Sequence, residues 1–188
     1  MGQKGEETRG RLLAATQQLI ESGGYFGAGL NQVIATSGAP KGSLYFHFPG
    51  GKDQLVEESV RQGGREIEQL LADLGHDAGP GGTADLLIAL LGVLADRLEA
   101  SGWRKGCPVA TVALEMAAAN PALQQVCSEV YRTWETALAE RLTADGNPSP
   151  GRSATAVLSL IEGALVLARA HHSREPLDRA AQSVSLLL

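Results

Sequence analysis

Apolar residues recur at steps of three and four along most of the chain, and this spacing predicts helices rather than strands. The first run predicts a helix of about four turns that begins near Glu6 or Glu7 and stops at Gly23–Gly24. A second run predicts a shorter helix over residues 29–37. The apolar positions of these two helices are Leu12, Ala15, Thr16, Leu19, Ile20, Leu30, Val33 and Ile34.

The segment 38–48 predicts a turn followed by a short helix. Gly38 suits the turn because glycine enters left-handed conformations easily, and Pro40 suits the first helical position. Leu44 and Phe48 lie four residues apart, so they share the face that anchors the helix. The residues predicted to face outward are Lys41, Gly42, Ser43, Tyr45 and His47. These types suit a surface laid against phosphates and base edges, as in a helix-turn-helix, although an aromatic-rich bundle helix remains an alternative.

Further apolar runs predict six more helices. They are placed at 52–74, 83–100, 107–119, 120–143, 152–172 and 176–188, with a linker over Gly75–Gly82. The pattern therefore predicts an all-α fold of about nine helices. Gly63–Gly64 falls inside the fourth helix. The pair indicates either close packing at a tolerated weak spot or a bend through which a bound ligand moves the DNA-reading helices.

The helix over 152–172 carries two apolar stripes, which indicates two packing partners. One partner is the core of the same chain, and the second is a copy of the chain, unless the helix is simply buried on all sides. Together with the last helix, it predicts a homodimer interface. The residues predicted for it are Leu158, Ile161, Leu165, Ala168, Leu177, Ala181 and Val184.

Composition and charge limit the class of protein. The chain has 188 residues, of which 44% are hydrophobic, enough for a substantial core. Residues 1–65 hold seven Lys and Arg against six Asp and Glu, so this region is only weakly basic and nonspecific DNA affinity should be modest. A leader and an apolar stretch of about 20 residues are not recognised, so we expect a cytoplasmic protein without a membrane partner. Its two cysteines, Cys107 and Cys127, are expected to be reduced.

The middle of the chain holds the candidates for a small-molecule site. The large or polarisable side chains predicted to line a cavity are Trp103, Cys107, Met116, Tyr131 and Trp134. Such a cavity suits a planar hydrophobic compound, and Glu115 is a candidate partner for a cationic one. The alternative for each residue is an ordinary place in the core. The spacing shows no metal, cofactor or nucleophile–base pattern, so no metal, no cofactor and no enzymatic activity are predicted.

The residues from Arg9 to Leu55 resemble the N-terminal domain of TetR/AcrR transcriptional regulators. The resemblance rests on "RGRLLAATQQLIESGGY", "VIATSGAPKGSLYFHF" and "KDQL", and "HFPGGKDQL" and "RKGCPVATVALE" are similar to the LmrA/YxaF-like branch. It implies a helix-turn-helix DNA-binding domain over residues 1–52 and a ligand-binding and dimerisation domain over 53–188. In the family the last two helices of each chain pair in a four-helix bundle, and ligands of this branch are often drugs or aromatic compounds.

The resemblance also implies residue roles. Lys41, Gly42 and Ser43 would contact bases or phosphates, Tyr45 and His47 would contact the DNA backbone, and Lys52 would hold a phosphate. Gly29 and Pro40 stand where many members have a hydroxyl residue, so two polar contacts are lost.

The implied function is a repressor that a small hydrophobic or aromatic ligand releases from double-stranded operator DNA. The alternative is a helical carrier or sensor that kept the fold without specific DNA binding.

Overall fold

The computed structural model describes residues 3–77 and 82–188, and this part of the chain is all-α, as predicted. Nine α-helices lie in these ranges, and a short 3-10 helix over Val184–Leu186 follows them. The helices are α1 (Gln3–Gly27), α2 (Leu30–Ser37), α3 (Lys41–His47), α4 (Gly51–Asp77), α5 (Thr83–Ala100), α6 (Pro108–Met116), α7 (Pro121–Ala144), α8 (Pro150–His171) and α9 (Glu175–Ser183).

The predicted stop of the first helix at Gly23–Gly24 is confirmed, because α1 breaks at Gly24, whose φ of 68° and ψ of −167° are not helical, and only a short helical segment continues to Gly27. The last helix, predicted over 176–188, ends at Ser183 and is followed by the 3-10 helix. Helix α6 ends at Met116 rather than near residue 119. Of the predicted linker over Gly75–Gly82, residues 75–77 belong to α4, while residues 78–81 lie outside the described residues.

Helix α4 runs without a break through Gly63–Gly64, and the pair is a site of close packing. A Cβ atom added at Gly63 would lie 3.2 Å from Pro108 Cγ. One added at Gly64 would lie 2.8 Å from Val130 Cγ1. Carbon atoms normally meet at about 3.5–4.0 Å, so only glycine fits at position 64 without a shift of its neighbour.

The chain forms two compact units. Unit 1 consists of the residues up to Arg65 together with Pro108–Val130, and unit 2 consists of Glu66–Cys107 and Tyr131–Leu188. In unit 1, α1 packs against α2, α3 and α6. In unit 2, α5, α8 and α9 pack against one another. The division at residue 52 into DNA-binding and ligand-binding domains stays a prediction, because a compact unit is not the same as a functional domain.

Helix α8 is long and apolar enough to cross a bilayer by length and composition alone, which corrects the expectation that no stretch would be. Core helices of soluble proteins have the same length and composition, and α8 buries six residues, all but Ala154 in the core cluster of unit 2. These residues are Ala154, Val157, Ile161, Ala164, Leu165 and Ala168. Of the most apolar 18-residue stretch of α8, only 28% is buried, so the helix also leaves apolar side chains at the surface.

Candidate nucleic-acid interface and ligand-binding residues

The turn between α2 and α3 has the geometry that the sequence predicts. Gly38 adopts a left-handed conformation, with φ of 62° and ψ of 17°, and its N–H donates to the carbonyl of Ile34 at the end of α2. Pro40 is extended, with φ of −60° and ψ of 140°. It therefore precedes the first helical residue, Lys41, and does not occupy the first helical position as expected. The turn ends α2 and fixes the direction in which the chain enters α3.

Helix α3 is anchored on one face and exposed on the other. Leu44 and Phe48 are 0% exposed and join the core of unit 1, as their spacing predicts. Lys41 and Gly42 are exposed at the start of the helix, and Tyr45 is 61% exposed. Phe46, which is not among the residues predicted to face outward, is 73% exposed. The outer face of α3 therefore presents a cation and two aromatic rings.

The remaining predicted residues of α3 are partly engaged within the protein. The hydroxyl of Ser43 donates to the carbonyl of Pro40, with 2.6 Å between the oxygens. His47 is half-buried, and its Nδ1 atom is buried without a hydrogen-bond partner among the described residues. The rings of Phe46 and His47 meet edge to face, with centroids 5.0 Å apart.

Lys52 lies at the start of α4 on an aromatic surface. Its Nζ atom is 3.9 Å from the ring centroid of Tyr25, within the range of a cation–π contact. The hydroxyl of Tyr25 donates to Asp53 Oδ1 at 2.6 Å. Burial, and then the hydrogen bond and charge of Asp53, raise the pKa of Tyr25 to about 12. Burial lowers the pKa of Lys52, against the opposing effects of Asp53 and Glu115.

Glu115 of α6 binds the break in α1. Its Oε2 atom accepts the N–H groups of Tyr25, at 2.7 Å, and Phe26, at 3.4 Å. The non-helical Gly24 frees these N–H groups from the helix, and a carboxylate is a strong acceptor for them. Glu115, considered from the sequence as a partner for a cationic ligand, is instead occupied inside unit 1.

Asn120 caps α7, because its Oδ1 accepts the N–H groups of Ala122 and Leu123 at 3.1 and 3.2 Å. Its amide nitrogen donates to Asp53 Oδ2 at 3.0 Å. The carboxylate that holds the Tyr25 hydroxyl is therefore also bonded to the start of α7.

Four of the five predicted ligand-binding residues lie in unit 2. Trp103, Cys107, Tyr131 and Trp134 are half-buried there, whereas Met116 is buried in unit 1. The rings of Tyr131 and Trp134 meet edge to face at 5.6 Å, and Trp103 stacks on His172 at 6.3 Å. Tyr131 and Trp134 are thus brought together as a pair.

Glu162 is a residue of unit 2 that the sequence analysis missed. Its Oε1 atom accepts the hydroxyl of Tyr131 at 3.3 Å, and the thiol of Cys107 also hydrogen-bonds the carboxyl group. Burial raises the pKa of Glu162, and these two hydrogen bonds partly oppose that effect. A signal was present, because Glu162 is the only charged residue in the sequence between Arg152 and Arg169.

Most residues predicted for a dimer interface lie in the core of their own unit. Ile161, Leu165, Ala168, Leu177 and Val184 are buried in unit 2, and Leu158 and Ala181 are half-buried. All of these residues except Leu158 belong to or pack against the core cluster that α5, α8 and α9 share. The apolar residues that α8 exposes are instead Val166, 57% exposed, and Leu167, 51% exposed.

Comparison with known proteins identifies the family. The model for bacterial regulatory proteins of the tetR family matches residues 12–59, and the model for the C-terminal domain of LmrA/YxaF-like transcriptional regulators matches residues 83–183. The chain belongs to the TetR family of transcriptional regulators. The first match includes α3, and the second extends from α5 to α9.

Relatives of this TetR-family regulator match it over nearly their whole length. The HTH-type transcriptional regulator LmrA of Bacillus subtilis is 34% identical over 97% of each chain. The crystal structure of a TetR transcriptional regulator from Chloroflexus aurantiacus has a TM-score of 0.78 at 27% identity, with 98% of this chain and 96% of that chain covered. The reduced form of Escherichia coli NemR shares the fold, with a TM-score of 0.81 at 24% identity and 94% of each chain covered.

Proposed function

We propose that this TetR-family regulator is a repressor that binds a two-fold operator as a homodimer and leaves it when a small apolar or aromatic ligand binds. The outer face of α3 carries the proposal. Leu44 and Phe48 fix the helix on the core, while Lys41, Tyr45 and Phe46 project from the opposite side. A short helix anchored in this way fits the major groove.

We assign base or phosphate contacts to the start of α3 and backbone contacts to its end. Lys41, Gly42 and Ser43 lie at the start, where glycine permits close approach. The hydroxyl of Ser43 must leave the Pro40 carbonyl to donate to DNA, but its lone pairs are free to accept. Tyr45 and His47 are assigned to the backbone.

Lys52 and Phe46 complete the proposed interface. Lys52 is assigned to a phosphate, and the ring of Tyr25 at 3.9 Å supports its side chain without neutralising the ammonium charge. Phe46 is added to the residues proposed from the sequence, because an exposed phenyl ring suits an apolar contact with a thymine methyl group.

The direct test is a gel shift with DNA from beside the protein's own gene, at several salt concentrations. K41A should weaken specific binding about tenfold and reduce the salt dependence by about one phosphate contact per half-site. Y45A should also weaken binding. The exposed Lys105 of unit 2 provides a control, since K105A should bind like the wild type. Normal binding by both K41A and Y45A would remove α3 as the reading helix, and absence of any specific binding would favour the carrier alternative.

We infer that the second copy of the chain covers the exposed apolar face of α8. Val166 and Leu167 are adjacent in sequence and both more than half exposed, in a helix whose other face fills the core. The double variant V166E/L167E should sediment as a monomer and lose operator binding. Leu114 of unit 1 is 83% exposed and provides a matched control, so L114E should leave the sedimentation unchanged. A V166E/L167E protein that remains a dimer would place the interface elsewhere.

The ligand site is proposed in unit 2, around Trp103, Cys107, Tyr131 and Trp134, and Met116 of unit 1 is left out. Half-buried aromatic rings and a thiol suit a planar apolar compound. The ligand would act by binding one dimer conformation more tightly than the one that fits the operator. We propose no catalysis, metal or membrane partner, and place the protein in the cytoplasm, where its DNA lies.

A further inference from the structure

Glu162 is a half-buried residue whose carboxylate the described part of the protein satisfies only in part. Its Oε2 atom is buried and has no hydrogen-bond partner among the described residues. Charged residues are rarely buried unless they are paired, because removing a carboxylate from water is strongly unfavourable. A group of this kind is retained more readily where it serves a ligand than where it serves only packing.

The groups that do contact Glu162 are neutral. The Tyr131 hydroxyl donates to Oε1 at 3.3 Å, and the Cys107 thiol bonds the same carboxyl group. Among the side chains that the structure describes, the groups that act on the Glu162 carboxyl are these two neutral ones, and no Lys or Arg is among them. Hydrogen bonds from a hydroxyl and a thiol satisfy lone pairs but do not neutralise a charge. The described side chains of unit 2 therefore give the negative charge of Glu162 no counter-charge.

Aromatic rings lie beside this carboxylate. Tyr131, which donates to Glu162, meets the half-buried Trp134 edge to face at 5.6 Å. The face of an aromatic ring attracts a cation within about 6 Å, and tryptophan does so most strongly. The carboxylate contacts Tyr131, and Tyr131 contacts Trp134, so this group of residues combines an opposite charge with aromatic rings that suit a cationic aromatic molecule.

We propose that Glu162 binds the charged end of the ligand, and that this ligand is an aromatic or apolar molecule carrying a protonated amine. A neutral donor such as a phenol would hydrogen-bond Oε2 but leave the buried charge uncompensated. An ammonium group donates a hydrogen bond to Oε2 and also supplies the opposite charge. The proposal rests on the proposed ligand site in unit 2, and it names the class of molecule that this site selects.

The test compares three probes of nearly the same shape that differ in charge. Naphthylmethylamine is cationic at neutral pH, naphthylmethanol is neutral, and naphthoate is anionic. Their binding to the full chain is measured by quenching of tryptophan fluorescence and by thermal shift. The variants are E162Q, which keeps the size of the side chain, and E140Q, a control at an exposed glutamate of α7.

We expect the amine to bind wild type and E140Q at least tenfold more tightly than the alcohol, and naphthoate to bind most weakly. E162Q should bind amine and alcohol within a factor of two of each other. Equal binding of amine and alcohol by wild type, an amine preference that survives in E162Q, or no amine binding up to millimolar concentration would each overturn the proposal.

Two further measurements keep the result interpretable. E162Q should melt at or above the wild-type temperature without ligand, because the variant removes a buried charge, so a loss of amine preference is not a loss of folding. The operator gel shift is run on the same preparations. If wild type binds its operator but shows no amine preference, the repressor function stands and the charge selectivity fails. If amine selectivity is present without operator binding, the repressor function is the part that fails.

Discussion

Replacing Gly64 with alanine should destabilise the protein, although alanine is the better helix former. Glycine to alanine inside a helix normally stabilises by about 1 kcal/mol. At Gly64 the new Cβ would lie 2.8 Å from Val130 Cγ1 and 3.3 Å from its Cγ2, about 1 Å closer than a normal carbon contact. Overpacking of this kind costs about 1–3 kcal/mol. We therefore expect G64A to lower the free energy of unfolding by about 1 kcal/mol.

Gly10 is the matched control for this prediction. It also lies in a helix of unit 1, but it is exposed and an added Cβ would meet nothing within 4 Å. G10A should therefore show the full helix gain, so the two alanine variants should differ by about 2 kcal/mol. V130A removes both methyl groups that crowd position 64, so the double variant G64A/V130A should be more stable than the sum of the single effects by about 2 kcal/mol.

The assay is urea unfolding followed by helical circular dichroism at one fixed protein concentration, because association changes apparent stability. The reasoning fails if G64A gains as much stability as G10A. It also fails if the cycle with V130A gives no coupling, since the methyl groups of Val130 are then not what excludes a side chain at Gly64.

Other predictions follow from single groups. E115Q should speed hydrogen exchange of the Tyr25 amide about tenfold or more, because a charged acceptor is lost; unchanged exchange would contradict the bond. Burial raises the pKa of Glu162, so the folded state holds its proton to higher pH than the unfolded state. The stability advantage of E162Q over wild type should therefore grow as the pH rises from about 4.5, in paired urea titrations. Cys127 is buried with a pKa raised to about 11, so mass spectrometry after iodoacetamide treatment at pH 8 should find Cys107 alkylated well before it.

Local features of the reading helix could be predicted from the sequence. Leu44 and Phe48 are four residues apart, and Gly38 precedes them in a turn, so their packing depends on nearby residues only. The exposure of Phe46 was also predictable, since it lies two positions after Leu44 and about 200° around the helix.

Features that depend on distant segments could not be predicted. Glu115 accepts N–H groups that lie 90 positions earlier in the sequence, and these are free only because α1 breaks at Gly24. The same limit applies to α8. Its apolar positions were visible, but which of them enter the core depends on how the helix is rotated against α5 and α9. Val157, Ile161 and Leu165 lie in the core, while Leu167 is left half exposed.

The charge of the N-terminal region determines how the proposed repressor must achieve its affinity. Seven basic residues against six acidic ones over residues 1–65 give little general attraction to DNA, and Arg9 and Arg61 are already paired with glutamates. One copy of α3 should therefore bind a half-site weakly. In a dimer, the second copy of α3 binds its half-site at an effective concentration of millimolar order. The affinity of the dimer is therefore higher than that of one copy by orders of magnitude, without any new kind of contact. Loss of the dimer in V166E/L167E should for this reason cost far more operator binding than K41A, which removes one contact from each half-site. Equal losses in the two variants would mean that a single reading head already carries most of the affinity.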